Sequence, residues 1–595
     1  MALKATSGAH RNYVEVTGGT MDEVTGAQAG SGSLTDNFVS IQGEEAIVSG
    51  IVSGARVNGT GSVSNNVVSI RAGAIGGTLF GGYAQRGDAI GNIVEVAGSV
   101  SVGGHIYGGY ASSGGNATDN RVILSGSVGL SNSILYGGYA PQGLSTGNVL
   151  EIHTSNLVAG NLKDFQELHF ILPADVSADA AVLTLSGKQT PTREDRDPAP
   201  VATDLQGVKV GVAIQGGGNV LKHGDRITLV HNPIGLLTDS TIAEADVSGY
   251  QGISLEYQFG LSADAYNLIA TTRHGEGGGA ATMLEQTKAP VEGQASTLAL
   301  GVQGADLAAG AGLSQALAAT TGGSGVSTFG AASGGRSRYK SGSHVDVNGF
   351  SLMVGAAKRI DRQAGQVLAG AFVEGGWGRF DTHNTFSTGY VRGDGKSHYV
   401  GGGVLLRHDW TPGKHGNLYA EGSMRVGRVS SDWHSQDMVG SANAAYDVSA
   451  LYYGAHLGAG QVWPLNAYAS VDVSAKYFWT HQKGDSATIA GDPYTFKAVD
   501  SHRTRLGARL NLASARHTTS YVGAYWEREF DGQARASVYG LETPAPSLKG
   551  NTGVFEVGFN WSPDAKKALT VGVGAQGYVG MRKGVSGTAR MQWIF

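Results

Sequence analysis

Leu79 opens the stretch LFGGYAQRGDAIGNIVEV; IYGGYASSGGNATDNRVIL follows from Ile106 and LYGGYAPQGLSTGNVLEI from Leu135. Aligned on asparagine, the phrase recurs further upstream. Asn12, Asn37, Asn66, Asn92, Asn120 and Asn148 each begin Asn-x-apolar-x-apolar, at spacings of 25, 29, 26, 28 and 28 residues. A repeat of that length marks a stacked, quasi-one-dimensional architecture. Within each copy the apolar residues alternate, as in Val68/Ile70, Val94/Val96 and Val122/Leu124, which is the period of a strand with one buried face. Gly-Gly-Tyr marks a second short strand, so each repeat reads as one rung of a β-solenoid. Glycines are expected to supply positive φ at the corners. The asparagines are expected to stack as a ladder or to close a turn rather than to hold a ligand. Tyr83, Tyr110 and Tyr139 read as packing or surface-stacking residues.

The totals agree with a β-rich chain of several domains. It has 595 residues, 95 of them glycine, and only 15% are charged. A net charge of −5 over this length argues against nucleic acid as a partner. With no cysteine, disulfides, thiolate zinc sites and cysteine nucleophiles are excluded. The same absence suits a chain that crosses an oxidising compartment unfolded. The opening MALKATSGAHRNYVEV has no apolar segment of the signal-peptide kind, and no run of apolar residues is long enough for a membrane-spanning helix.

The period breaks after residue 156. Residues 157–275 still read as alternating strands, with 188–204 (KQTPTREDRDPAPVATD) as a polar, proline-rich loop, and are expected to cap the solenoid. Residues 276–325 hold the one clear helical signal. Pro290 stands near its start and Gly322-Gly323 stops it. Over 296–319 it would span roughly 36 Å at 1.5 Å per residue. Its small side chains fit either a narrow tube or a linker.

From 326 to 595 twelve alternating strands are expected, near 328–341, 347–358, 366–379, 397–409, 416–429, 449–462, 466–480, 502–513, 517–529, 552–561, 567–580 and 585–595. One face of the eighth carries Leu506, Leu510 and Leu512 and the other Arg503, Arg505 and Arg509; the seventh sets Val471 and Val473 against Asp472 and Lys476. An apolar face and a separate arginine-bearing face fit an outer-membrane barrel with a wet lumen, where those five charged residues face inward. Connections alternate short (PLN, ASARH, SPDAK) with long (380–396, 430–448, 481–501, 530–551), as periplasmic turns and external loops do. The fold class is therefore all-β, with a solenoid, a short helix and a twelve-stranded barrel.

The segments APVEGQASTLALGVQGADLAAG, FGAASGGRSRYKSGSHVDVNGFSLMVGAAKR and the terminal GTARMQWIF resemble the classical, monomeric autotransporters (type V secretion) of Gram-negative bacteria. The resemblance implies a β-helical passenger at the cell surface and a fold-promoting junction, matched by LKHGDRITLV. It implies a helix threading the outer-membrane barrel, here with Leu298, Leu300, Gly304, Asp306, Leu307 and Gly310. It also implies a terminal assembly signal, Phe595 with Trp593 and Met591, read by the barrel-insertion machinery. Periplasmic chaperones and outer-membrane lipid are the implied partners, with host surfaces or neighbouring cells as partners of an adhesin-like or self-associating virulence factor. Some members cut themselves in the pore helix through an asparagine side chain. This chain has none from 268 to 347, so the passenger is expected to remain attached, with Asp306 the nearest substitute.

No catalytic constellation is legible. His-Glu-x-x-His is missing from the chain, and His10, His153, His169, His223 and His231 lack metal-ligand spacing. No enzyme activity, cofactor or metal is expected. The competing reading is a secreted enzyme whose active region is unrecognised or lies upstream. Arg392-Gly393-Asp394 falls in the long connection between the third and fourth barrel strands. It reads as an ordinary turn, with integrin binding as the alternative.

Overall fold

The computed structural model describes residues 2–5, 10–178, 181–191, 195–274, 279–320, 325–411, 417–441, 443–514, 518–561 and 569–593. The chain forms two compact units, Met1–Thr282 and Met283–Phe595.

The first unit is a parallel β-solenoid. The asparagine strands stack in register, Val68 pairing with Val39 on one side and Val94 on the other. The Gly-Gly-Tyr strands stack likewise, Leu79 on Ile106 and Ile106 on Leu135. Val39, Ile41, Val68, Ile70, Val94, Val96, Val122 and Leu124 are wholly buried between these walls. Each rung therefore lends its apolar face to its neighbours, which is why one rung alone has no core.

The asparagines form a continuous ladder. Asn37 Nδ2 donates to Asn66 Oδ1 at 2.8 Å, Asn66 to Asn92 at 2.9 Å, Asn92 to Asn120 and Asn120 to Asn148 at 3.0 Å. Each Oδ1 also accepts from the backbone N–H of the preceding ladder asparagine, as Asn120 does from Asn92 at 3.0 Å. These side chains are fully buried, so the ladder satisfies groups that water cannot reach. Gln166 Oε1 ends it by accepting from the backbone N–H of Asn148 at 2.9 Å.

Glycines take positive φ at several corners, as expected, among them Gly73, Gly98 and Gly126 at 97°, 75° and 77°. The left-handed corner before each ladder asparagine is taken by Arg11, Asp36, Asn65, Gly91, Asp119 and Gly147, with φ of 58°, 56°, 54°, 64°, 58° and 68°. Only two of these are glycine. The paired glycines of Gly-Gly-Tyr instead make room. A methyl group at Gly82 would lie 2.7 Å from Asn92 Cγ, and one at Gly109 2.5 Å from Asn120 Nδ2.

The solenoid does not end where the sequence period breaks. Strands Glu167–Leu172 and Lys209–Ile214 continue the asparagine wall in parallel register, and Ala181–Leu185 and Arg226–His231 continue the other. Antiparallel pairing closes the unit only with Asp246–Gln251, Leu255–Ala263 and Asn267–Thr272. Ladders need only apolar alternation, so rungs of unequal length stack without keeping the 28-residue period.

The second unit is a closed antiparallel barrel. Its strands are β1 (Val326–Lys340), β2 (His344–Arg362), β3 (Gly365–Phe386), β4 (Gly389–Trp410), β5 (Asn417–Ser435), β6 (Ala444–Asn466), β7 (Ala469–Gln482), β8 (Val499–Ser514), β9 (Thr518–Glu529), β10 (Gly550–Trp561), β11 (Leu569–Gly580) and β12 (Arg582–Trp593). Thr328 on β1 pairs with Trp593 on β12, so closure leaves no edge within the barrel. Outward positions are apolar and exposed: Phe350, Leu352 and Val354 on β2, Val400, Val404 and Leu406 on β4. That is the pattern of a wall facing lipid.

One end of the barrel is elaborated. The connection expected over 380–396 is largely strand, because β3 and β4 run 22 residues each and turn at 387–388. The connections after β7 and β9 form a small sheet from Asp485–Ile489, Asp492–Phe496, Ala536–Val538 and Leu541–Glu542. The opposite end has tight turns such as 363–364 and 467–468. A helix, α1 (Lys288–Leu307), fills the lumen; it passes through a π-helical turn, Ala308–Gly312, into α2 (Leu313–Ala319). It begins two residues before Pro290, near which its start was expected.

Candidate functional site: the helix-filled lumen

The helix enters at the elaborated end. Lys288 Nζ reaches Ser343 Oγ at 3.2 Å and Asn384 Oδ1 at 3.3 Å, and the Gln286 side chain pairs with both backbone groups of Val439. One turn in, Glu292 is wholly buried. It accepts hydrogen bonds from Ser341 Oγ at 2.6 Å, Ser343 Oγ at 2.7 Å and Asn384 Nδ2 at 2.6 Å. An isolated buried carboxylate is costly, so this cradle fixes where the helix must sit.

Midway, Asp306 meets three guanidinium groups. Arg503 Nη1 and Arg505 Nη2 both lie 2.9 Å from its Oδ1, and Arg582 Nη1 3.2 Å from its Oδ2. Glu527 shares Arg503 at 3.0 Å and Arg505 at 2.6 Å. Arg503 and Arg505 stand on one face of β8 because side chains alternate along a strand. The helix supplies one carboxylate and the barrel wall the other: three ion-pair contacts at Asp306 tie helix to wall, and two at Glu527 hold the arginines in place.

Small residues permit this approach. Gly304 lies against Tyr399 Oη and Arg425. Arg425 pairs with Glu374 at 2.8 Å and donates to the Gly301 carbonyl at 3.1 Å. Leu300 packs with Tyr399, Val429 and Tyr452, and Leu307 with Phe329, Met353 and Phe372. Leu298 is also buried. Lys476 donates to the Ala309 carbonyl at 2.8 Å, in the π-helical turn, and pairs with Glu421 at 2.5 Å. Gly310 faces a cavity of about 690 Å³ that remains beside the helix, lined also by Arg509, Tyr521 and Arg590. Arg509 reaches Asp472 only at 3.6 Å.

All five residues assigned to the lumen therefore lie there. Sequence reading missed Arg582, Glu527, Glu374, Arg425 and Glu292. The first four sit at inward positions of alternating strands, and that periodicity was the available signal. The Arg-Gly-Asp assignment to a loop is corrected: Arg392, Gly393 and Asp394 lie within β4, hydrogen-bonded to β3 and β5. Arg392 is paired with Asp381 at 2.7 Å and Asp394 with His434 at 3.4 Å, while Gly393 packs against the Trp433 indole. The backbone ladder fixes the motif flat on the wall. Met591 is on the outer face and exposed, Trp593 ends β12, and Phe595 lies outside the described residues.

The solenoid carries a second feature. Phe80, Tyr107 and Tyr136 stack at centroid spacings of 5.2 and 4.4 Å. Tyr83, Tyr110 and Tyr139, half-buried, stack beside them at 5.2 and 4.8 Å. Burial and neighbouring tyrosines push the Tyr107 and Tyr110 hydroxyls above their usual range.

These features define a class first: outer-membrane β-barrels plugged by their own helix. The family model "Autotransporter beta-domain" matches residues 323–576, which makes the second unit an autotransporter barrel domain of the outer membrane and supports a classical autotransporter. No curated protein matches the chain. Among solved structures it is similar to the translocator domain of autotransporter NalP from Neisseria meningitidis (14% identity, 52% of this chain and 99% of that one, TM-score 0.39). It is also similar to the transport unit of AIDA-I from Escherichia coli (15%, 48% and 98%, 0.37) and to the beta domain of the Bordetella autotransporter BrkA (14%, 45% and 99%, 0.33).

Proposed function

We propose that the barrel exports the β-solenoid and displays it at the cell surface, and that the displayed solenoid works by contact, as an adhesin-like or self-associating module, rather than by catalysis. The observation that carries the export reading is the direction of the helix. Its N-terminal end lies among the long hairpins, so the chain preceding it leaves through the end that external loops occupy. The tyrosine ladder supports the contact reading. It repeats one aromatic surface at rung spacing, and many weak contacts sum. Assembly through the barrel-insertion machinery and periplasmic chaperones belongs to the same reading.

Settling of cells that express the full chain tests the contact reading. Tyr110→Ser with Tyr139→Ser is expected to slow settling, or to lower binding to host-cell monolayers, at least several-fold at equal surface amount. Unchanged settling and unchanged adhesion would overturn it.

A further inference from the structure

The outer wall of the barrel reads in cross-strand pairs from the elaborated rim toward the apolar band. His344 on β2 is directly opposite His383 on β3, then Asp346 opposite Asp381, Asn348 opposite Arg379, and Phe350 opposite Trp377. Phe350 and Trp377 are exposed large aromatics, so the histidine pair stands beyond the lipid-facing band, on the same outward face. The two imidazoles are stacked, with centroids 4.5 Å apart and planes 18° from parallel. Ligand atoms of His344, His383 and Asp346 all lie within 4.8 Å of one another.

We propose that these three residues form a site for one divalent transition-metal ion of the zinc or copper class. Two imidazoles and one carboxylate are the donor set those ions prefer, and the imidazoles disfavour magnesium and calcium. Metal–ligand bonds of about 2.1 Å in a tetrahedron place donors about 3.4 Å apart. Closing the present spacing takes side-chain rotations at the two half-buried histidines, with the strand backbones held in register.

The surroundings supply orienting partners of the kind metal ligands use. Tyr390 Oη lies 2.7 Å from His383 Nδ1. Arg338 holds Asp346 through two bonds, 2.6 and 2.7 Å long, and each carboxylate oxygen keeps a second lone pair for an ion. Asp346 and Asp381 offset Arg338 and Arg392, while Lys340, directly opposite His344 on β1, and Arg379 add positive charge that an incoming dication has to overcome. A bound ion would cross-link β2 and β3 at the rim.

The test uses the full chain, folded in detergent micelles and stripped with chelator. Zn²⁺ titrated by calorimetry is expected to bind at one equivalent. His344→Ala and His383→Ala are each expected to weaken that binding at least ten-fold, while His169→Ala, in the solenoid, leaves it unchanged. Cu²⁺ is expected to give an electron paramagnetic resonance spectrum with two coupled imidazole nitrogens, reduced to one in either variant. Heat-modifiable migration establishes that each barrel has folded, and Gln replaces Ala at either position where it has not. Absence of Zn²⁺ binding, or binding and nitrogen coupling that persist in the His344/His383 double variant, would overturn the proposal.

Discussion

Asn120 shows what a single residue does in the solenoid. Its Oδ1 accepts from Asn92, and its Nδ2 donates to Asn148 and to the Ala89 carbonyl at 3.0 Å. Asn120→Ala strands buried donors of Asn92 and an acceptor of Asn148. The expected cost is about 2–4 kcal/mol, from more than one unsatisfied group. Asn12→Ala, at the half-buried first position, is expected to cost under about 1 kcal/mol. Chemical denaturation followed by circular dichroism checks the order, and equal losses would contradict the ladder's role. Gly109→Val drives a side chain into Asn120 and is expected to destabilise at least as much as Asn120→Ala.

Charge acts at the same scale. The hydrogen bond from His153 to Glu151, with Arg121 and His169 nearby, holds the Glu151 carboxyl below the usual carboxylate range. A depressed folded pKa stabilises above the unfolded value of 4.5 and loses that stabilisation as pH falls through the folded value. The solenoid is therefore expected to lose stability on acidification below about pH 4.5, and Glu151→Gln to flatten that slope. Unfolding midpoints across pH 3–7 measure this. An unchanged slope in the variant would count against the pairing. Repetition made the ladder asparagines legible in sequence. Gln166, its terminal partner, was not, because it stands 18 residues after Asn148, outside the period.

At the scale of the element, the lumenal helix depends on one carboxylate. Asp306→Asn leaves Arg503, Arg505 and Arg582 facing Glu527 alone. Removing one partner of a buried pair costs about 3–5 kcal/mol, so the ratio of inserted to displaced helix should fall by about two orders of magnitude or more. Planar-bilayer recordings of the full chain are expected to show larger and more frequent openings than wild type. Silent recordings identical to wild type would show that the ion pairs do not hold the helix. Gly304→Leu is expected to open the pore as well, since the side chain would overlap Tyr399 and Arg425.

Twelve barrel strands were legible because alternation persists over ten or more residues with lipid on one side. The 22-residue hairpin of β3 and β4 was not. Above the membrane its outward residues are Asp381, His383, Arg392 and Asp394, so the apolar signal stops where the strand continues. Pro290 marked the helix start to within two residues, whereas the burial of Glu292 was hidden, because its cradle of Ser341, Ser343 and Asn384 comes from the barrel hairpins.

For the whole molecule, the passenger is expected to stay covalently attached. Asparagine is absent from 268 to 347, and Asp306, the nearest substitute, is held by three guanidinium groups. One full-length band in denaturing gels of surface-labelled cells is the expected result; a split near residue 306 in a strain without surface proteases would contradict it. Deleting Phe595 is expected to lower outer-membrane yield far more than Val579→Ala, a change on the exposed outer wall. Equal yields would remove the terminal signal from the account.

The proposed export direction predicts that the solenoid and the elaborated end of the barrel are reached from outside the cell and the tight turns from the periplasm. Because the chain has no cysteine, any introduced thiol is unique. Ser113→Cys in the solenoid, Ser387→Cys at the tip of the β3–β4 hairpin and Gln363→Cys in the β2–β3 turn are all at exposed positions. The measurement is labelling of intact cells with a membrane-impermeant maleimide. The first two variants are predicted to label fully and Gln363→Cys only after the outer membrane is opened; labelling of Gln363→Cys in intact cells, or protection of Ser113→Cys, would contradict the account.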